Sequence, residues 1–126
     1  MAPSEPTQTI LVVEDDDVTR VGFGEVLTKN GYRVVLGSNG RDALGYLHDH
    51  PAPDLIILDM LTPGMDGWQF LKERDARWVS IPVLITTSLS IANDEWAISL
   101  GAIGVLRKPI DLDVLLEIVA NTVDSG

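Results

Sequence analysis

The stretch Pro53-Asp54-Leu55-Ile56-Ile57-Leu58-Asp59 decides the fold. Four apolar residues in a row, closed by a carboxylate, read as a strand covered on both faces, which is how strands of a parallel sheet read. Asp59 then stands at the carboxyl end of that strand, the edge where open parallel sheets place their ligands. A second apolar run, Ile10-Leu11-Val12-Val13, ends in the acidic cluster Glu14-Asp15-Asp16-Asp17. Two strands therefore deliver acids to one sheet edge. Unit charges about 4 Å apart repel by roughly 4 kcal/mol at an effective dielectric near 20, so this convergence implies raised pKa values or a bound cation. We read it as a metal site.

On both sides of these runs, strand-like and helix-period segments alternate in five units, the pattern of a parallel sheet flanked by helices. Strands are expected at residues 10–13, 32–36, from 55, 83–87 and 104–107. Helices are expected at 18–29, 41–48, from the turn at 62–67 to about 74, at 93–100, and from Asp111 onward. Gly31 and Gly101 suit left-handed caps after the first and fourth helices. Asp111 reads as an N-cap, followed by Leu112, Leu115, Leu116, Val119 and Val123 at helical spacing. The fold class is α/β, a (βα)5 doubly wound parallel sheet.

The chain has 126 residues, enough for one domain with a single core. Its net charge of -10 disfavours nucleic acid or an anionic membrane as a direct partner and favours cations or basic surfaces. No apolar stretch approaches the roughly 20 residues needed to cross a bilayer. The absence of cysteine excludes thiol chemistry and disulfides, and is compatible with a reducing compartment. Residues 1–8, with Pro3 and Pro6 and no secretory pattern, read as a flexible tail.

Four of the five strand ends carry a group used in phosphoryl chemistry. Taken singly, Glu14 and Asp15 could serve the first turn of a helix, Thr87 could be a β-branched strand residue, and Lys108 a solvated lysine. Together they supply acids for a metal, a nucleophilic carboxylate at Asp59, a hydroxyl donor and an ammonium.

As they stand, Ile10-Leu11-Val12-Val13-Glu14-Asp15, Pro53-Asp54-Leu55-Ile56-Ile57-Leu58-Asp59, Pro63-Gly64-Met65-Asp66-Gly67, Pro82-Val83-Leu84-Ile85-Thr86-Thr87-Ser88 and Arg107-Lys108-Pro109 resemble the receiver domain of two-component response regulators. The likeness covers about residues 9–123. It implies a flavodoxin-like sheet of order 2-1-3-4-5 and a receiver domain over residues 9–124. It also implies roles: Asp59 as phosphoacceptor, Asp15 as a direct Mg²⁺ ligand, Glu14 holding the metal mostly through water, and the Leu61 backbone carbonyl as a further ligand. Thr87 then bonds a phosphoryl oxygen, Lys108 pairs with the phosphoryl group or the Asp59 carboxylate, and the Lys108–Pro109 bond is cis.

The resemblance further implies a cytoplasmic signalling switch. It takes its phosphoryl group from a sensor histidine kinase or a histidine phosphotransfer protein and passes the signal to a downstream effector, without turning over a metabolic substrate. Two other readings are an unphosphorylated interaction module of the same fold and a phosphatase of the haloacid dehalogenase type. The second lacks its required aspartate, since Leu61 stands two residues after Asp59.

Three positions depart from the family pattern. Val105 stands where an aromatic switch residue is common, so output must rely on backbone movement after Thr87 or on other side chains. Leu61 and Leu89 occupy the positions that tune phosphoryl lifetime, and neither can orient an attacking water, so slow decay is expected. Trp68, Trp78 and Trp96 read as helix-packing residues, with Trp96 the best candidate for binding. His48 and His50 read as solvated or capping groups.

Overall fold

Five parallel strands form one sheet in the order β2-β1-β3-β4-β5 in the computed structural model, which describes residues 7–74 and 76–123. The strands are β1 (Thr9–Val13), β2 (Arg33–Gly37), β3 (Leu55–Asp59), β4 (Val83–Thr87) and β5 (Gly104–Arg107). Between and after them run α1 (Asp17–Lys29), α2 (Gly40–Asp49), α3 (Gly67–Glu73), α4 (Asp94–Ser99) and α5 (Leu112–Val123). The expected α/β class, strand order and five-unit alternation are all present.

β3 and β4, apolar but for Asp59, Thr86 and Thr87, sit where both faces are covered, and every one of their residues is buried. Side chains alternate between two cores, as the period of a strand requires. On one face Ile56, Leu58, Val83 and Ile85 meet Ala43 and Leu47 of α2, Phe70 of α3 and Ala97 of α4. On the other, Leu55, Ile57 and Leu84 meet Phe23 and Leu27 of α1 and Leu115 and Val119 of α5. Each fully buried Leu or Ile contributes about 1.5–3 kcal/mol, so the centre of the sheet is its most rigid part.

Helix starts follow from capping chemistry. The side chains of Asp16, Asn39, Asp66 and Asn93 accept from the backbone N–H groups of Thr19, Asp42, Gln69 and Trp96. Asp111 accepts from the N–H groups of Asp113 and Val114, as its sequence position suggested. Each such cap is worth about 1 kcal/mol. Gly31 and Gly101, with φ of 92° and 86°, end α1 and α4 in the left-handed region.

Several contacts fill in the sequence reading, and the tail departs from it. Trp78 lies in a short 3-10 turn, Ala76–Trp78, where it is buried with His48 set edge-on at 4.9 Å. His50 caps α2 and stacks on Tyr46 at 4.4 Å. Trp68 of α3 and Trp96 of α4 meet edge to face at 5.9 Å. Residues 1–6 of the expected tail lie outside the described residues. Gln8 is fastened, accepting from Arg33 N–H through its carbonyl and donating its side-chain amide to the Val123 carbonyl. No helix among the described residues is long and apolar enough to cross a membrane.

Candidate functional site

Parallel pairing brings the chemistry-bearing strand ends into line. In register, Val13 pairs with Leu58, and Asp59 pairs with Thr86. Glu14 follows Val13 and so sits beside Asp59 at the carboxyl edge. Glu14 and Asp59 are both buried, whereas Asp15 is exposed at the rim.

Lys108 closes the site from the loop after β5. Its Nζ lies 2.8 Å from Glu14 Oε1 and 3.1 Å from Asp59 Oδ2. Its own N–H donates to the Thr87 carbonyl at 2.8 Å, and the following Lys108–Pro109 bond is cis. The remaining acid oxygens are held by backbone: Leu61 N–H donates to Asp59 Oδ1 at 3.1 Å, and Asp16 N–H donates to Glu14 Oε2 at 3.0 Å. Arg20 steadies the turn from beneath, donating to the Glu14 and Asp15 carbonyls at 2.9 and 3.3 Å.

A close backbone approach shapes the loop that carries Leu61. A Cβ on Gly67 would lie 2.7 Å from Met60 Cα and 3.0 Å from the Asp59 carbonyl oxygen, so only glycine lets α3 start against the end of β3. The Gly67 N–H uses this contact by donating to the Met60 carbonyl at 3.1 Å. Leu61 itself is pushed outward, 48% exposed at the mouth of the site.

Burial pushes the Asp59 carboxyl up from 3.8 to about 6, with the nearby Glu14 charge adding to the shift. The Leu61 amide and Lys108 pull the other way and do not overcome burial. For Lys108, burial acts to lower the pKa, but the close negative charges of Glu14 and Asp59 outweigh it and hold the ammonium above its ordinary value.

Three carboxylates against one ammonium leave the site two charges short of neutrality. Oxygens from Glu14, Asp15 and Asp59 lie within 4.8 Å of one another. That approaches the span of about 4.2 Å across an octahedral Mg²⁺ with bonds of about 2.1 Å. Glu14 Oε1, though in ionic contact with Lys108, accepts no directed hydrogen bond. An oxygen-only donor set, excess negative charge and a buried acid oxygen without an aligned donor fit a hard divalent cation.

Thr87 ends β4 one residue beyond the row of Asp59, and its Oγ1 accepts from Leu89 N–H at 3.2 Å. Sequence reasoning singled out Thr87 and passed over Thr86. Thr86 is the register partner of Asp59, is fully buried, and its Oγ1 has no hydrogen-bond partner among the described residues. The signal was present in the sequence, because a hydroxyl interrupts an apolar strand there.

Residues 10–120 match the family model for the response regulator receiver domain. The chain belongs to that family. Curated relatives of this receiver domain include PilH of Pseudomonas aeruginosa, 32% identical over 93% of this chain and 98% of that protein. Another is sporulation initiation phosphotransferase F of Bacillus subtilis, 34% identical over 89% of this chain and 90% of that protein. Among solved structures, the chemotaxis response regulator CheY4 of Vibrio cholerae superposes with a TM-score of 0.81. It shares 27% identity, and the match covers 93% of this chain and 99% of that one. This chain is therefore a receiver domain of the kind found in response regulators and phosphorelay proteins, consistent with a phosphorylation-dependent signalling switch.

Proposed function

We propose that Asp59 is the phosphoacceptor of a Mg²⁺-dependent signalling switch. The observation that carries this reading is a buried carboxylate held between one ammonium and two further acids at the ligand edge of the sheet. In the transfer, an Asp59 oxygen forms a bond to phosphorus while the bond from phosphorus to the donor imidazole nitrogen breaks. The electron pair stays on that nitrogen, which takes up a proton. Glu14, Asp15, Asp59 and the Leu61 carbonyl would hold the metal, which would offset charge on the transferring oxygens. Lys108 turns its ammonium from Asp59 to a phosphoryl oxygen, a displacement of a few ångströms on a flexible stem.

The rim of the site suits a docking donor. Val18 is 83% exposed at the start of α1, and Pro109 and Leu112 are exposed beside Lys108. This apolar rim faces a phosphohistidine-bearing kinase or phosphotransfer domain, and the downstream partner is a protein effector.

Output passes through the loop after β4. When the Thr87 hydroxyl turns to a phosphoryl oxygen, it releases the Leu89 N–H it now accepts from. The loop then keeps its tie from Arg107 Nη1 to the Ser90 carbonyl, and α4 keeps its contact from Val105 N–H to Asp94 Oδ1. With Val105 in the aromatic position, backbone movement of residues 88–92 carries the signal toward exposed Ile91 and Ile98.

The test is intact-mass measurement after incubation with a small phosphodonor and Mg²⁺. A phosphoryl increment on the parent, absent in Asp59→Asn and absent with chelator, is expected. An increment that persists in Asp59→Asn contradicts the assignment.

A further inference from the structure

The row of side chains across the carboxyl edge holds one more polar group than the proposed chemistry uses. Leu84 and Ile57 both face the core under α1 and α5, so Thr86 and Asp59, two residues further along each strand, face that side as well. Thr86 and Asp59 are also register partners on adjacent strands, about 4.8 Å apart in a sheet. Their side chains therefore stand next to each other. Glu14 continues the row on one side and Leu106, the register partner of Thr86 on β5, continues it on the other.

Thr86 is fully buried, and its hydroxyl finds no partner among the described residues. A valine has nearly the same shape and leaves no donor unpaired, so a threonine here calls for an explanation in some other state of the molecule. The neighbouring acid provides that state. At present both Asp59 oxygens are engaged, one by Leu61 N–H and the other by Lys108 Nζ. Once Lys108 turns to a phosphoryl oxygen, the carboxyl group loses its side-chain donor, and the closest unused hydroxyl in its row is that of Thr86.

We propose that Thr86 is a positioning residue for loss of the phosphoryl group: its hydroxyl donates to the Asp59 carboxyl group of the phosphorylated chain and sets the lifetime of the acyl phosphate. The inference rests on Asp59 being the phosphoacceptor. In hydrolysis, water attacks phosphorus, the bond from phosphorus to the Asp59 oxygen breaks, and its electron pair returns to the carboxylate. Water gives up a proton and inorganic phosphate leaves. Negative charge grows on the carboxyl group along this path, so a donor beside it speeds the step. Thr87 acts on the phosphoryl oxygens and Thr86 on the leaving carboxylate, so the two adjacent threonines serve different ends of the breaking bond.

The experiment compares the parent chain with Thr86→Val and Thr86→Ser, each phosphorylated with a small phosphodonor and Mg²⁺, freed of donor, and followed by intact mass. Thr86→Val is expected to lengthen the half-life roughly threefold to tenfold, the effect of one lost hydrogen bond to developing charge. Thr86→Ser is expected to stay within about twofold of the parent. Thermal unfolding of the unphosphorylated proteins supplies an independent readout, with Thr86→Val at least as stable as the parent. Equal half-lives in all three overturn the proposal, as does equal lengthening in both variants, which would mark a packing effect. A less stable Thr86→Val also counts against it, because the hydroxyl would then be partnered already. A parent that takes no phosphoryl group at Asp59 fails the phosphoacceptor reading itself and is told apart from these outcomes by its unchanged mass.

Discussion

Lys108 Nζ bridges two buried acids, 2.8 Å from Glu14 Oε1 and 3.1 Å from Asp59 Oδ2. The ammonium thus occupies part of the electrostatic role that a divalent cation takes when it binds, and the two cations repel. Lys108→Ala is expected to raise Mg²⁺ affinity severalfold while slowing phosphoryl acceptance, because charge on the transferring oxygens is then less well offset. Titration calorimetry with Mg²⁺ checks the first effect. Weaker Mg²⁺ binding in the variant contradicts the arrangement.

Stability without metal should fall with rising pH where Asp59 titrates. In the folded chain its carboxyl keeps a proton to about 6, against 3.8 for the ordinary group. Between those values the folded state binds more protons than the unfolded, so the contribution of Asp59 is full below about pH 4 and is lost as pH rises through 6. Asp59→Asn removes this loss. Chemical denaturation in chelator at pH 7 should show the variant more stable, by on the order of 2 kcal/mol. Saturating Mg²⁺ should narrow the gap by stabilising the parent. A parent as stable as Asp59→Asn throughout pH 4–7 contradicts the burial argument.

Gly67→Ala is expected to cost about 2–3 kcal/mol, since the new Cβ meets not only Met60 Sδ, which can move, but also the backbone of Met60 and Asp59, which cannot. The displaced loop carries Leu61, so Mg²⁺ affinity should drop with stability. Gly22→Ala serves as the control, because nothing lies within 4 Å of a Cβ there. Comparable melting temperatures for the two variants contradict the close approach.

The sheet was legible in the sequence because β1, β3 and β4 are covered on both faces, and continuous apolar runs such as residues 55–58 have few other uses. Glu14, Asp15, Asp59, Thr87 and Lys108 were legible because strand ends of a parallel sheet share one edge, so polar residues closing apolar runs converge there. Pairing register was not legible, and register is what places Thr86 beside Asp59. Nor could spacing show that Gly67 is in contact with Met60, or that Trp78 belongs to a 3-10 turn, since both depend on how distant segments meet. Element boundaries moved by about one residue where side chains decide them: Asn39 caps α2 at Gly40, and β2 runs Arg33–Gly37.

Phosphoryl lifetime should respond to the two apolar residues at the mouth. Leu61 is exposed and Leu89 half-buried, and neither offers a hydrogen bond to an attacking water. Leu61→Asn and Leu89→Glu are each expected to shorten the half-life of the phosphorylated chain severalfold, followed by intact mass after removal of the phosphodonor. No acceleration in either variant contradicts the expectation of slow decay.

The residue that carries the phosphoryl group can be read out chemically. Borohydride reduces an aspartyl phosphate to homoserine, so the chain can be phosphorylated with a small phosphodonor and Mg²⁺, reduced, digested and mapped by tandem mass spectrometry. Homoserine is expected at residue 59, dependent on Mg²⁺ and on the donor. Homoserine at Asp15 or another acid, with Asp59 recovered unchanged, contradicts it.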